Sequence, residues 1–169
     1  MGESRHCEIE RKYLIAWIEP EFLRSQAGCA VWEIEQIYLK AAPGETRRIR
    51  RVEEDGQARW YKTFKRRLTD LSCVEEEGQI SGEDYAQYRT EADPQLKPIA
   101  KVRYRIPWQG QVLEFDLYPF WTRQAVLEVE LRSEDQPVFL PPWVQVIREV
   151  TSDHRYKNVS LAREVPQED

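Results

Sequence analysis

The sequence lacks the residues of a Cys/His metal site. Its 169 residues include three cysteines, Cys7, Cys29 and Cys73, and two histidines, His6 and His154. No cysteine pair has the CxxC spacing, and with so few histidines the sequence excludes a zinc site of the usual composition. Three thiols cannot all pair with one another, so we interpret the chain as a cytoplasmic protein with free thiols.

Long apolar runs are also missing. No stretch reaches the roughly 18 apolar residues that a membrane-spanning helix needs. The N-terminal segment MGESRHCEIER has no apolar core of a signal peptide. We therefore expect no membrane partner. Low-complexity segments are absent too, and an aromatic content of 11% predicts a folded chain with a buried core.

The chain has no excess of positive charge. Thirty acidic residues outnumber 25 basic ones, which gives a formal net charge of −5. This balance argues against a general nucleic-acid-binding protein. The local basic clusters TRRIRR (46–51) and KTFKRR (62–67) need a different explanation.

What the sequence does contain is a series of alternating, hairpin-connected strands in a single domain of residues 1–169. Asp55-Gly56 and Gln109-Gly110 are typical of tight hairpin turns. Helices are expected over 20–27, after the N-cap Ser81, and over 153–163 after Ser152. Strands are predicted over 6–16, 32–40, 46–54, 57–67, 72–80, 99–108, 111–120 and 125–132. About eight such strands indicate an antiparallel sheet or barrel.

Charged residues alternate with apolar ones along these strands, and each strand carries mostly one sign. Side chains at i and i+2 share one face of a strand. In KVRYRI, for example, Lys101, Arg103 and Arg105 therefore share a face. The acids on such faces are Glu8, Glu10, Glu75, Glu77, Glu114, Asp116, Glu128 and Glu130. The bases are Lys12, Arg48, Arg50, Lys65, Lys101, Arg103 and Arg105.

Closing the sheet would turn these charged faces into a polar lumen. Carboxylates crowded there would have raised pKa values unless a cation neutralised them. Without histidine or cysteine ligands, the fitting cation is a hard one, Mg²⁺ or Mn²⁺. Inward-facing arginines and lysines suit phosphate oxygens. Glu8 and Glu10 are then best interpreted as ligands of a metal or of its bound water.

The segment EIERK (8–12) resembles the ExExK signature of the CYTH superfamily, the triphosphate tunnel metalloenzymes. The rest of the chain agrees with this family in order, so that the resemblance covers roughly residues 6–162. The further matching segments are QIYL (36–39), RIR (48–50), TFK (63–65), EEE (75–77), KVRY (101–104), EFD (114–116), EVE (128–130) and DHRYKN (153–158).

The resemblance implies a mainly β fold, an eight-stranded antiparallel barrel that forms a polar tunnel, with flanking helices and a C-terminal helix. It implies triphosphate binding by Lys12, Arg48, Arg50, Lys65, Lys101 and Arg103. It implies metal ligands among Glu8, Glu10, Glu77, Glu114, Asp116, Glu128 and Glu130. Glu8 and Glu10 would bind a second metal or position the attacking water, and Lys157 would close one tunnel end. Cys73 departs from the pattern, because family members often have arginine there.

The expected activity is metal-dependent hydrolysis of a triphosphate, with inorganic tripolyphosphate as the leading substrate. Thiamine triphosphatase and class IV adenylate cyclase activity are the alternatives within the superfamily. A binding module that holds polyphosphate without turnover is the alternative from another class, and a structural barrel with solvated charges is a third. An outward apolar barrel face also makes a homodimer plausible.

Overall fold

The computed structural model of the protein describes the backbone of residues 3–169 and the side chains from residue 9 onwards. Nine strands and three short α-helices make up the fold in this part of the chain. The strands are β1 (Glu3–Ala16), β2 (Ala30–Leu39), β3 (Glu45–Glu54), β4 (Gln57–Arg67), β5 (Ser72–Ile80), β6 (Ile99–Trp108), β7 (Gln111–Leu117), β8 (Gln124–Glu130) and β9 (Val146–Glu149). The helices are α1 (Pro20–Arg24), α2 (Gly82–Tyr88) and α3 (Asn158–Arg163).

The first eight strands close into an antiparallel barrel, as the sequence predicted. Their order is β5-β4-β3-β2-β6-β7-β8-β1, and β1 pairs back with β5. Closure depends on the length of β1. Its first half pairs with β5 from Glu3 to Ile9, and its second half pairs with β8 from Glu10 to Ala16. The first acidic strand therefore lies at the junction between the two ends of the sheet.

Two predicted hairpin turns are confirmed by their backbone angles. Asp55 and Gly56 have φ values of 51° and 78° between β3 and β4. Gln109 and Gly110 have φ values of 48° and 77° between β6 and β7. Positive φ at both central residues matches the right-handed twist of the flanking strands. The predicted N-cap is confirmed as well, because the Ser81 hydroxyl accepts a hydrogen bond from the Asp84 backbone N–H.

The C-terminal part differs from the sequence prediction. A ninth strand, β9, was not predicted. It pairs with the second half of β1, on the edge opposite β8. The expected helix over 153–163 is broken into a 3₁₀ turn (His154–Tyr156) and α3. Asp153 caps the 3₁₀ turn by accepting from the Arg155 N–H, so Ser152 is not the cap. The extended backbone of Lys157 separates the two pieces.

Apolar clusters cover the outer face of the barrel. Leu113, Phe115, Leu127 and Val129 are fully buried beneath α1 and the segment 138–144. A separate cluster packs Ile37 and Ile49 against Tyr85 of α2. The outward faces of β7 and β8 are thus largely removed from water. No helix in the described residues is long and apolar enough to cross a membrane.

The C-terminal segment plugs one end of the barrel. Leu14, Ile99 and Val126 lie on the same strand faces as the charged residues, but nearer this end. They form a buried cluster with Tyr156 of the 3₁₀ turn and Leu161 of α3. This apolar layer closes one end of the charged interior of the barrel.

Candidate active site

The inward side chains surround a polar cavity of about 550 Å³. A neighbouring cavity of about 370 Å³ shares Trp32, Arg50 and Glu77 with it and extends towards the β3–β4 turn at Asp55. Most of the side chains predicted from the sequence meet in the larger cavity. They are Glu10, Lys12, Arg48, Arg50, Lys65, Glu77, Arg103, Glu114, Glu128, Glu130 and Lys157.

Among the described side chains, two predicted site residues, Lys101 and Asp116, do not line this cavity. Lys101 and Asp116 are buried behind the lining, with side chains 1% and 0% exposed. The side chain of Glu8 lies outside the described residues, although the Glu8 backbone is paired opposite Cys73. Lys101 and Asp116 can therefore affect a ligand in the cavity through the side chains that they hold in place.

A buried ion network orients Arg103 towards the cavity. The Arg103 guanidinium donates from Nε to Asp116 Oδ1 at 2.7 Å and from Nη2 to Asp116 Oδ2 at 2.8 Å. Lys101 Nζ donates to the same Asp116 Oδ2 at 2.8 Å. Burial raises the pKa of Asp116, but the charges of Arg103 and Lys101 outweigh that effect and hold the pKa below its usual value. The carboxylate is therefore ionised at neutral pH.

Glu128 connects this network to the ExExK strand. Its carboxylate lies 3.1 Å from Arg103 Nη2 and 3.2 Å from Lys12 Nζ. Burial raises the pKa of Glu128, and the charges of Lys12 and Arg103 overcome it and lower the pKa well below its usual value. Lys12 also donates to the Tyr156 carbonyl oxygen at 3.1 Å. These contacts fix the Lys12 ammonium between β8 and the C-terminal plug.

The opposite wall, formed by β3, β4 and β5, carries looser ion pairs. Arg50 Nη2 lies 3.4 Å from Glu77, and Lys65 Nζ lies 3.3 Å from Glu75. Burial, reinforced by the neighbouring Arg48, lowers the pKa of Arg50 to about 10. Arg50 thus remains charged at neutral pH in spite of the repulsion from Arg48 beside it. Such a pair is arranged to receive an anion.

Lys157, which the resemblance placed at one tunnel end, lines the cavity next to the C-terminal segment. Burial lowers its pKa to about 8, with further contributions from Arg67 and Lys12. Asn158 also lines the cavity and accepts a hydrogen bond from the Tyr118 hydroxyl. The break between the 3₁₀ turn and α3 therefore places two polar side chains, Lys157 and Asn158, at the plugged end of the cavity.

The carboxylates of the cavity have the chemistry of a hard-cation site. Glu10 is paired opposite Glu130, and Glu128 opposite Glu114, on the adjacent strands β1, β8 and β7. Their donors are all oxygens, as Mg²⁺ and Mn²⁺ prefer. Among the described residues, no three acidic, histidine or cysteine side chains already form a group that could hold a metal ion. Glu114 and Glu128 are instead directed at arginine and lysine side chains.

The cavity also contains side chains that were not predicted to bind triphosphate. Gln36 and Tyr38 follow the inward face of β2, and Trp32 lies further along the same strand. Arg67 lines the cavity directly opposite Cys73 in the β4–β5 pairing. In the sequence, Gln36 could have been recognised as the one amide side chain in a strand that otherwise carries residues such as Ile34 and Ile37. The signal for Arg67 was its two-residue spacing from Lys65.

The chain is similar to an inorganic triphosphatase from Nitrosomonas europaea. The two sequences are 31% identical over 164 residues, which cover 94% of this chain and 99% of that enzyme. The chain belongs to the CYTH superfamily. No protein-family model matches it.

Solved structures agree with membership of the CYTH superfamily. The crystal structure of an inorganic triphosphatase matches with a TM-score of 0.59 and 28% identity, over 95% of this chain and 97% of that one. A protein from Pyrococcus horikoshii matches with a TM-score of 0.57 and 18% identity, over 76% and 80% of the two chains, which supports the fold alone. The strand motifs proposed from the sequence lie in the walls of one charged barrel, and DHRYKN (153–158) lies in the segment that plugs its end.

Proposed function

We propose that the protein is a divalent-metal-dependent triphosphatase whose substrate is inorganic tripolyphosphate. The observation that carries this proposal is the convergence of basic side chains from separate elements on one cavity of about 550 Å³. They are Lys12, Arg48, Arg50, Lys65, Arg67, Arg103 and Lys157. A compact ligand with many anionic oxygens suits this set, and the similar enzyme from Nitrosomonas europaea is named an inorganic triphosphatase.

In this proposal the basic residues bind the phosphate chain from two sides. Arg48, Arg50 and Lys65 contact it from the β3–β4 wall. Lys12 and Arg103 contact it from the opposite wall, where Asp116 and Glu128 hold them in position. Lys101 supports Asp116 from behind and does not touch the substrate. Nonbridging oxygens that gain negative charge during the reaction would be stabilised by donors that are already oriented.

The proposed chemistry is in-line attack of water on a terminal phosphorus atom. A bond forms between the water oxygen and phosphorus, and the bond from phosphorus to the bridging oxygen breaks, releasing orthophosphate and pyrophosphate. Glu10 is the proposed group that orients the water and accepts its proton, and Glu8 is the second candidate. Lys157 is proposed to contact the substrate at the plugged end and to stabilise charge there.

The residues proposed to hold the divalent cation are Glu10, Glu77, Glu114, Glu128 and Glu130. Their oxygen donors fit Mg²⁺ or Mn²⁺, and the choice between these two ions is part of the experiment. When bound, the cation would offset the negative charge of the phosphate chain. Asp116 is fully enclosed by Arg103 and Lys101, so we propose that it supports Arg103 and is not a ligand.

The experiment is phosphate release from tripolyphosphate, ATP, thiamine triphosphate and pyrophosphate, each with Mg²⁺, with Mn²⁺ and with EDTA. We expect tripolyphosphate to be hydrolysed fastest, only when a divalent ion is present. Preference for ATP or thiamine triphosphate would reject the substrate, and activity in EDTA would reject the metal requirement. Conversion of ATP to cyclic AMP would identify a cyclase instead. Binding of tripolyphosphate without release of phosphate would identify a non-catalytic module.

A further inference from the structure

Gln36 is a buried amide whose polar atoms find no partner in the protein. Its side chain is only 1% exposed, yet neither Nε2 nor Oε1 has a hydrogen-bond partner among the described residues. Gln36 lines the polar cavity from the centre of β2. Because an amide that is buried without a hydrogen bond destabilises the folded protein, its partner should be part of what the cavity binds.

A second unpaired donor is located beside this amide. Gln36 is directly opposite Arg50 in the β2–β3 pairing, and side chains in such pairs lie about 5 Å apart at Cβ. Arg50 Nη2 donates a hydrogen bond to Glu77, but Arg50 Nε has no hydrogen-bond partner among the described residues. Two neighbouring donor groups, one neutral and one charged, therefore face the same cavity. Each has an N–H group without an acceptor among the described residues.

The wall across the cavity has the opposite character. There, Arg103 donates to Asp116, Glu114 and Glu128, and Lys12 contacts Glu128. Those donors are engaged before any ligand arrives. On β2 and β3, by contrast, donors without a protein acceptor face the cavity. A ligand with several oxygens close together would accept hydrogen bonds from the Gln36 amide and the Arg50 guanidinium at once. A phosphoryl group has this shape.

We propose that Gln36 is a substrate-binding residue, whose Nε2 donates a hydrogen bond to a nonbridging oxygen of the same phosphoryl group that Arg50 contacts through Nε. This inference rests on the proposed triphosphatase function and adds a neutral contact to its basic ones. A neutral donor binds a phosphoryl oxygen without adding to the repulsion between Arg48 and Arg50. That repulsion already contributes to the lowered pKa of Arg50.

The test uses Gln36→Met, which keeps the length of the side chain and removes both polar atoms. We expect the KM for tripolyphosphate to rise about 10- to 100-fold, the range for losing a hydrogen bond to a charged group. The melting temperature without ligand should stay at the wild-type value or rise, because no protein hydrogen bond is lost. A purely structural role for Gln36 predicts a lower melting temperature and is thereby separated from binding.

Two further variants complete the design. Gln36→Glu places a carboxylate against the phosphate and should raise KM more than Gln36→Met does. Gln124→Met is the control, since Gln124 is also 1% exposed and has an unpaired Nε2, but does not line the cavity. Its KM should equal that of the wild type.

An unchanged KM in Gln36→Met, with active wild type, would overturn the role of Gln36 alone. Failure of the wild type to bind or hydrolyse tripolyphosphate would overturn the proposed function and this inference together.

Discussion

Arg103 and Asp116 face each other across the β6–β7 pair and form two parallel hydrogen bonds, of 2.7 Å and 2.8 Å, with the Asp116 carboxylate fully buried. The planar guanidinium matches the carboxylate in a way that a lysine could not. Lys101 contacts the same carboxylate, so that Asp116 is shared by two bases, while Arg103 also donates to Glu114 and Glu128 at the cavity wall. This relationship lets the barrel hold a cationic side chain at its centre without a bound ligand.

Asp116→Ala should destabilise the protein by about 3–5 kcal/mol, because it removes the carboxylate that pairs with the buried Lys101 and two hydrogen bonds of Arg103. The measurement is the free energy of unfolding from a urea titration. Glu149→Gln is the matched control. Glu149 pairs with Arg11 at the surface and is 41% exposed, so its loss should change the free energy by less than about 1 kcal/mol. Equal effects of the two variants would show that the Asp116 network does not support the fold.

Lys65→Met should raise the KM for tripolyphosphate at least about tenfold, the effect of losing one hydrogen bond to a charged group. Its neighbour Arg66 provides the control on the same strand. Lys65 lines the cavity, whereas Arg66 points to the opposite face of β4 and is exposed. Kinetics of both variants should show a raised KM for Lys65→Met and a wild-type KM for Arg66→Met. The reverse order would place the substrate outside the barrel.

The affinity for tripolyphosphate should fall as pH rises through about 8, the lowered pKa of Lys157. A lysine with a lowered pKa loses its charge earlier on the alkaline side, so a contact with an anion is present at pH 7 and mostly absent at pH 9. The expected loss is about tenfold, because roughly a tenth of Lys157 would stay protonated at pH 9.

The comparison that isolates Lys157 is the KM ratio between pH 9 and pH 7 in the wild type and two variants. Changes in the ionisation of tripolyphosphate itself affect all three proteins equally. Lys157→Arg should remove the dependence by staying charged at both values, and Lys157→Met should remove it by being neutral at both. A wild-type ratio in Lys157→Met would mean that another group causes the pH effect.

Much of the barrel could be predicted from alternation alone. The strands and the two hairpins follow from residues with a period of two and from turn residues such as Asp55-Gly56. The inward position of Lys12, Arg50 and Glu128 follows from the same period if the apolar face of each strand is assumed to point outwards, under the helices and loops. The order of charged motifs identified the family, which the Nitrosomonas europaea relative confirms.

Depth along the barrel could not be predicted. Asp116 has the same period as Glu114, yet it is paired opposite Val126 of the apolar end cluster, behind Arg103 and outside the cavity lining. β9 contains Val146, Ile147 and Arg148 next to a proline-rich segment, and only pairing with β1 makes it a strand. Gln36 has no charge to mark it, and its importance depends on what surrounds it. The homodimer, the absence of nucleic-acid and membrane partners and the metal-ligand roles stay predictions.

The most direct measurement of the account is the rate of phosphate release from saturating tripolyphosphate by the wild type and by Glu10→Gln, with Mg²⁺ or Mn²⁺ present. The substitution keeps the size of the side chain and removes the proposed proton acceptor. We expect kcat to fall about 100-fold or more, the usual contribution of a positioned base, while tripolyphosphate still raises the melting temperature. A wild-type kcat in Glu10→Gln would contradict the proposed role of Glu10. Absence of metal-dependent release in the wild type would contradict the account as a whole.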